Sequence, residues 1–249
     1  MTKRKASSCE DTCCKRPNKG DQNQILFVDQ IDALKRISED AVQLAVWRQK
    51  QVPKFCKKFA DVSALDLPQF EGMMKPGDVK EVLKAHLWCR HNLRSRKNRV
   101  CEEDIDKLVQ HISDLAHAFA EIFKESDFLD SQEYFGYVAV KLQVIESDGC
   151  SYWHKDSVPY RLVVTYRGAC TEYVSPAFSK ATLCRRKLDS KHAKSLTHKD
   201  VAIFKGLGNS INDGNEDEQP GIVHRSPRYT GESRLILVLD IPQKGWHYD

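Results

Sequence analysis

The chain has 249 residues, enough for one large domain with a sizeable core. Hydrophobic residues make up 41% and charged residues 30% of it, which excludes a wholly disordered chain, and a formal charge of +4 at this length does not by itself imply nucleic-acid binding. Nine cysteines without regular spacing, a charged N-terminus with no apolar leader, and no apolar run of about 18 residues predict free thiols, a cytoplasmic or nuclear setting and no membrane span.

Residues 1–24 carry Lys3-Arg4-Lys5 and Lys15-Arg16 but no hydrophobic period. They read as a disordered basic tail whose paired clusters resemble a bipartite nuclear-import signal. Residues 25–249 read as a single domain, helical over 25–130 and sheet over 135–242. Ile31, Leu34, Ile37, Ala41, Leu44 and Ala45 follow helical spacing and predict a first helix reaching Trp47; Phe55, Phe59, Val62 and Leu65 predict a short second one. Pro68 and Met74-Lys75-Pro76-Gly77-Asp78 read as a turn, with Asp78 capping a third helix that carries Val79, Val82, Leu83 and Leu87. The basic stretch Arg90 to Arg99 leads to a fourth, whose apolar stripe runs from Ile105 through Leu108, Ile112, Leu115 and Phe119 to Phe123. His111 and His117 are six apart and fall on different helix faces; with His86 and His91 they read as surface or core-edge residues.

At Gly136 the period becomes two. Tyr137, Ala139, Lys141 and Gln143 form a partly polar face suited to lining a cavity, and Val138, Val140, Leu142 and Val144 an apolar face for packing on helices. Further strands are predicted over 160–166, 171–174, 201–204, 221–224 and 233–241. Helices followed by about eight short strands predict an α+β fold, a double-stranded β-helix (jelly roll) with an N-terminal helical layer packed on it. The intervening loop, 180–199, carries Lys180, Arg185, Arg186, Lys187, Lys191, Lys194 and Lys199; it reads as solvated or, alternatively, as a groove for nucleic acid or another acidic partner.

The candidate site starts at His154 and Asp156, two residues apart, where an extended backbone turns both side chains to one face. His224 follows 68 residues beyond Asp156, a separation that a jelly roll can close. Two imidazoles and one carboxylate leave three positions open on an octahedral iron, so His154, Asp156 and His224 are both the metal ligands and the candidate catalytic centre. Arg234 shares a strand face with Ile236 and Val238. A guanidinium in an apolar pocket needs an anion, and the far end of a dicarboxylate cosubstrate supplies one. By alternation, Lys141 and Tyr137 are candidates to line the cosubstrate pocket, and Arg161 and Tyr166 to touch substrate; Arg161 reads equally well as a salt bridge across the sheet.

His154-x-Asp156, His224 and Arg234 together resemble the Fe(II)- and 2-oxoglutarate-dependent oxygenases. The resemblance implies iron on the triad, the distal carboxylate of 2-oxoglutarate on Arg234, and hydroxylation or demethylation of a substrate the sequence does not name. Such oxygenases often carry a Ser two residues beyond the arginine, where this chain has Ile236. The longer run from His154-x-Asp156 through Arg161-Leu162, Thr165-Tyr166, Gly168 and Thr171-Glu172, with Asp200-Val201-Ala202 and Val223-His224-Arg225-Ser226-Pro227, is similar to a domain family of unknown function over roughly residues 30 to 242. The same residues admit other readings: a hydrogen-bonded His154–Asp156 pair with His224 in a surface turn, a metal-binding jelly roll without catalysis, or a nucleic-acid or protein binding module.

Overall fold

The computed structural model of the chain describes residues 24–92, 100–124, 136–208 and 220–242, without the side chains of 89–92. The basic tail with its import-like clusters and residues 93–99 of the basic stretch lie outside what is described, and nothing is described of the side chains of Arg90 and His91. The described strands are β1 (Ile25–Val28), β2 (Leu44–Arg48), β3 (Phe70–Met74), β4 (Val138–Ile145), β5 (Tyr160–Arg167), β6 (Glu172–Tyr173), β7 (Lys194–Ser195), β8 (Asp200–Lys205), β9 (His224–Arg225) and β10 (Arg234–Asp240). The helices are α1 (Lys54–Phe59), α2 (Val79–Asn92), α3 (Glu102–Phe123) and α4 (Ser179–Leu183).

The fold is mixed α+β with one large sheet, ordered β1-β2-β8-β5-β10-β4-β3 and antiparallel except for the parallel β1–β2 pair. A small sheet, β7-β6-β9, is extended by an antiparallel bridge between His154 and His224. From β4 onward the chain passes back and forth between the two: β4 in the large sheet, the His154 segment in the small, β5 in the large, β6 and β7 in the small, β8 in the large, β9 in the small, β10 in the large.

Alternation decides which side chains meet. Leu162, Val164 and Tyr166 of β5 and Leu235, Leu237 and Leu239 of β10 share a cluster with Leu108, Ile112, Leu115 and Phe119 of α3 and Val79, Leu83 and Leu87 of α2. Each such side chain, fully withdrawn from water, contributes about 1.5–3 kcal/mol. The opposite face of the large sheet meets the small sheet through Leu44, Val46, Val163, Tyr173, Ala202, Phe204, Ile222 and Ile236. Trp153, Val174, Leu183 and Val223 form a third cluster on the small sheet, with Phe178 and Ala193 against it.

The helical reading of 25–130 is corrected by three strands. Instead of one helix over Ile31–Trp47 there is a 3-10 helix over Ile31–Ser38 and then β2. Leu44 and Val46 pack toward the small sheet while Ala45 packs in the helix-side cluster, so β2 is buried on both faces and shows no alternation to betray it. β3 occupies the stretch between Pro68 and the expected turn; the turn itself is present as a 3-10 turn (Pro76–Asp78) that runs into α2, with Asp78 inside it rather than capping the helix. The later predictions hold closely for α3, which carries the expected stripe, and for β4, β5, β6, β8 and β10, whereas β9 overlaps the strand expected over 221–224 only at His224.

Candidate metal centre and anion pocket

The backbone brings the three candidate ligands together. His154 and His224 exchange N–H···O bonds of 3.0 and 2.9 Å across the bridge, and residues directly opposite in an antiparallel pair project from the same face. Their rings therefore lie side by side, with centroids 4.6 Å apart. Asp156, two residues beyond His154, joins that face.

The hydrogen bonds also fix the tautomers. Nδ1 of His154 lies 2.9 Å from the Tyr152 carbonyl and Nδ1 of His224 lies 3.1 Å from that of Ile222. A carbonyl only accepts, so each Nδ1 carries the proton and a neutral ring then presents a bare Nε2. Burial, and then the neighbouring His224, hold the pKa of His154 below its ordinary value, which keeps it neutral. Burial alone would raise the carboxyl of Asp156, but His224, Arg161 and His154 outweigh it and keep the group ionised, below the usual carboxylate range.

One donor atom from each of the three residues lies within 4.8 Å of the others. Nε2 of His224 is 3.3 Å from Oδ2 of Asp156, and that oxygen is buried without a hydrogen-bond partner. A neutral Nε2 and a carboxylate oxygen at this distance turn their lone pairs toward one point, which a cation between them, a proton or a metal ion, satisfies. Adjacent ligands on an octahedral ion at about 2.1 Å stand about 3 Å apart, so the His224–Asp156 pair has the spacing of two ligands of a divalent metal, with His154 beside them. Asp156 and His224 are buried, and the His154 side chain is 19% exposed, leaving an approach from solvent.

Arg161 and Asp240, opposite one another on β5 and β10, support this centre. Arg161 grips both oxygens of Asp240 at 2.7 and 2.9 Å and donates from Nη1 to Oδ1 of Asp156 at 2.5 Å. Three of its nitrogens thus hold carboxylates, which places it across the sheet in the salt-bridge role rather than against substrate. Asp240 was not singled out in the sequence; its parity on β10, shared with Arg234, was the available signal.

Arg234 starts β10 on the inner face. Its Nε donates to the Ala169 carbonyl at 2.6 Å, while Nη1 and Nη2 are buried without partners, and burial lowers its pKa. Gly168, at φ +77°, makes room for it: a Cβ there would lie 2.9 Å from Cγ of Arg234. On the adjacent strand, Thr165 stands opposite Ile236 on the same face, and its buried hydroxyl has only the Cys170 thiol beside it, with no oxygen or nitrogen partner. Thr165 is a polar residue that the sequence reading passed over inside an apolar strand.

Two predicted pocket residues lie elsewhere. Tyr137 precedes β4, whose Ala139 pairs with Asp240, whereas Arg234 pairs with Ile145. The eight residue steps from Tyr137 to Ile145 span about 26 Å, too far for a shared small ligand. The ring of Tyr137 instead lines a cleft with Phe119, Phe123 and Ile241, near Nζ of Lys75. Tyr166 faces the helices, with its hydroxyl 3.0 Å from Nδ1 of His111 and its ring against Phe55. An odd offset of five from Arg161 had already put it on the opposite face. Lys141 is on the inner face, opposite Val238, with Nζ 3.3 Å from Glu71.

The basic segment 180–199 packs along Trp153, whose backbone N–H and Nε1–H donate to the carbonyls of Arg186 and Leu188 at 2.8 and 2.9 Å. Arg185, Lys187, Lys191, Lys194 and Lys199 are exposed or half-buried, as a solvated loop requires. No described helix is long and apolar enough to cross a membrane.

Fold and site together define an α+β sheet protein with a buried His-Asp-His donor cluster and a separate buried guanidinium. Residues 28–240 match the family described as protein of unknown function, DUF1826, and the chain belongs to that family. No curated protein matches the chain. Similar solved structures include the dioxygenase for auxin oxidation 1 of Arabidopsis thaliana in complex with 2-oxoglutarate, at 14% identity over 88% of this chain and 93% of that one, TM-score 0.41. They also include the dioxygenase for auxin oxidation of rice, at 12% identity over 87% of this chain and 82% of that one, TM-score 0.44. A third is a prolyl-4-hydroxylase of Pseudomonas putida, at 10% identity over 87% and 100%, TM-score 0.37. At these identities and scores the likeness establishes no shared function.

Proposed function

We propose that the protein is an Fe(II)- and 2-oxoglutarate-dependent dioxygenase that hydroxylates or demethylates its substrate on a double-stranded β-helix. The alternation of the chain between the two sheets from β4 to β10 supports the jelly-roll reading. The observation that carries the function is a pair of features: Nε2 of His224 turned toward an Asp156 oxygen that has no hydrogen bond, with His154 beside them, and an Arg234 fork buried without an anion.

His154, Asp156 and His224 are the residues to hold the metal, which when bound supplies the oxidation of 2-oxoglutarate by O₂ to succinate and CO₂ with transfer of the second oxygen atom to substrate. Arg234 offers two parallel donors to the far carboxylate of the cosubstrate, a geometry that an ammonium lacks. Thr165 offers a hydroxyl from the neighbouring strand where Ile236 has none. Val163, Phe204, Ile222 and Ile236 wall the space between the sheets and exclude water.

The test is turnover. Protein loaded with Fe(II) without oxygen, then given O₂ and 2-oxoglutarate, is expected to release succinate, and His154→Ala to abolish both metal binding and succinate release. Metal binding with no succinate under any substrate screen would make the protein a binding module instead.

A further inference from the structure

We propose that Arg161, held in place by Asp240, is the positioning residue that restricts Asp156 to metal ligation through Oδ2 alone. The inference rests on the metal-centre reading above and assigns a role that the ligand set itself does not specify.

The geometry divides the two oxygens of Asp156. Oδ1 receives Nη1 of Arg161 at 2.5 Å, and Oδ2 is left without a hydrogen bond, facing Nε2 of His224 at 3.3 Å. A carboxylate free to rotate about its side-chain bonds can bring both oxygens to one ion and so occupy two coordination positions. A guanidinium on Oδ1 opposes that, because it fixes the carboxylate's rotation and draws on the electron density Oδ1 would donate. Arg161 cannot drift from this task, because Nε and Nη2 are clamped by both oxygens of Asp240, directly opposite on β10 and fully buried. Two carboxylates inside one pocket also repel, and the arginine between them cancels that repulsion. Lysine cannot replace it: a single ammonium lacks the planar fork that reaches Asp240 and Asp156 at once.

The experiment counts exchangeable waters on Mn(II) bound to the protein, by electron–nuclear resonance in ¹⁷O-water. With two imidazoles and one carboxylate oxygen on a six-coordinate ion, the wild type is expected to keep three waters, and two would overturn the assignment. Arg161→Gln is expected to drop to two waters and to lose about ten- to a hundredfold in Mn(II) affinity, with Arg161→Lys between it and the wild type. Asp240→Asn, which keeps the shape of its side chain, is expected to weaken Mn(II) binding in the same direction. Apo melting temperatures separate this from general loss of fold. If Arg161→Gln does not fold, the wild-type water count and Asp240→Asn decide. Wild-type affinity in either variant overturns the role of Arg161, whereas a wild type that binds no Mn(II) overturns the metal centre itself.

Discussion

Gly206 lies directly against the backbone of Asp156: a Cβ on Gly206 would sit 2.6 Å from the Asp156 carbonyl oxygen, and that same oxygen accepts the N–H of Leu207 at 2.8 Å. The end of β8 is thereby the seat on which the ligand segment rests, with the Gly206 N–H donating to the Pro159 carbonyl at 2.8 Å as a second tie. Gly206→Ala is expected to push the segment away, costing about 1–3 kcal/mol of stability and at least tenfold in metal affinity. Urea unfolding of the metal-free protein and Mn(II) titration measure the two effects.

Arg234 gives a prediction of opposite signs. An unpaired buried cation destabilises the cosubstrate-free protein, so Arg234→Met, of similar length and apolar, is expected to raise its stability by about 1–4 kcal/mol. The same change is expected to abolish 2-oxoglutarate binding while leaving Mn(II) binding intact. Loss of stability in the apo variant would mean that the guanidinium already has a partner.

Thr165→Val keeps the shape of the side chain and removes the buried hydroxyl, which has only the Cys170 thiol beside it. If that hydroxyl meets the far carboxylate, 2-oxoglutarate affinity falls about tenfold, the equivalent of one hydrogen bond to a charged group. Calorimetric titration of the Mn(II) form measures it, and an unchanged affinity removes Thr165 from the pocket.

His111 sets a pH dependence remote from the metal centre. Burial lowers its pKa from 6.5 to about 4 in the folded protein. Between those values the unfolded chain binds a proton that the folded one does not, so stability is expected to fall as pH drops from about 6.5 to about 4, by a few kcal/mol in order of magnitude. His111→Gln, which retains a hydrogen-bonding group for Tyr166, is expected to remove this part of the acid sensitivity in melts of the apo protein.

The site was more legible in the sequence than the fold around it. His154-x-Asp156 announces itself because period two puts both side chains on one face, and Arg234 because a charge at the head of Leu-Ile-Leu-Val-Leu demands a reason. Strands whose two faces differ were likewise readable, as β4 and β10 were. β2 was not, because Leu44 to Trp47 is buried from both sides and fits a helical template equally well. Gly206, Gly168 and Asp240 act through contacts with residues far along the chain, which no local period encodes. Tyr166 was misassigned against information already present in its parity.

In the proposed function one site holds both metal and dicarboxylate. Melting temperature without oxygen, measured with Mn(II), with 2-oxoglutarate and with both, tests it most directly. The expected result is a rise with Mn(II), a further rise with 2-oxoglutarate that is larger when Mn(II) is present, and neither metal-dependent rise in His224→Ala. A melting temperature indifferent to Mn(II), or a response to 2-oxoglutarate of the same size with and without metal, would contradict the account.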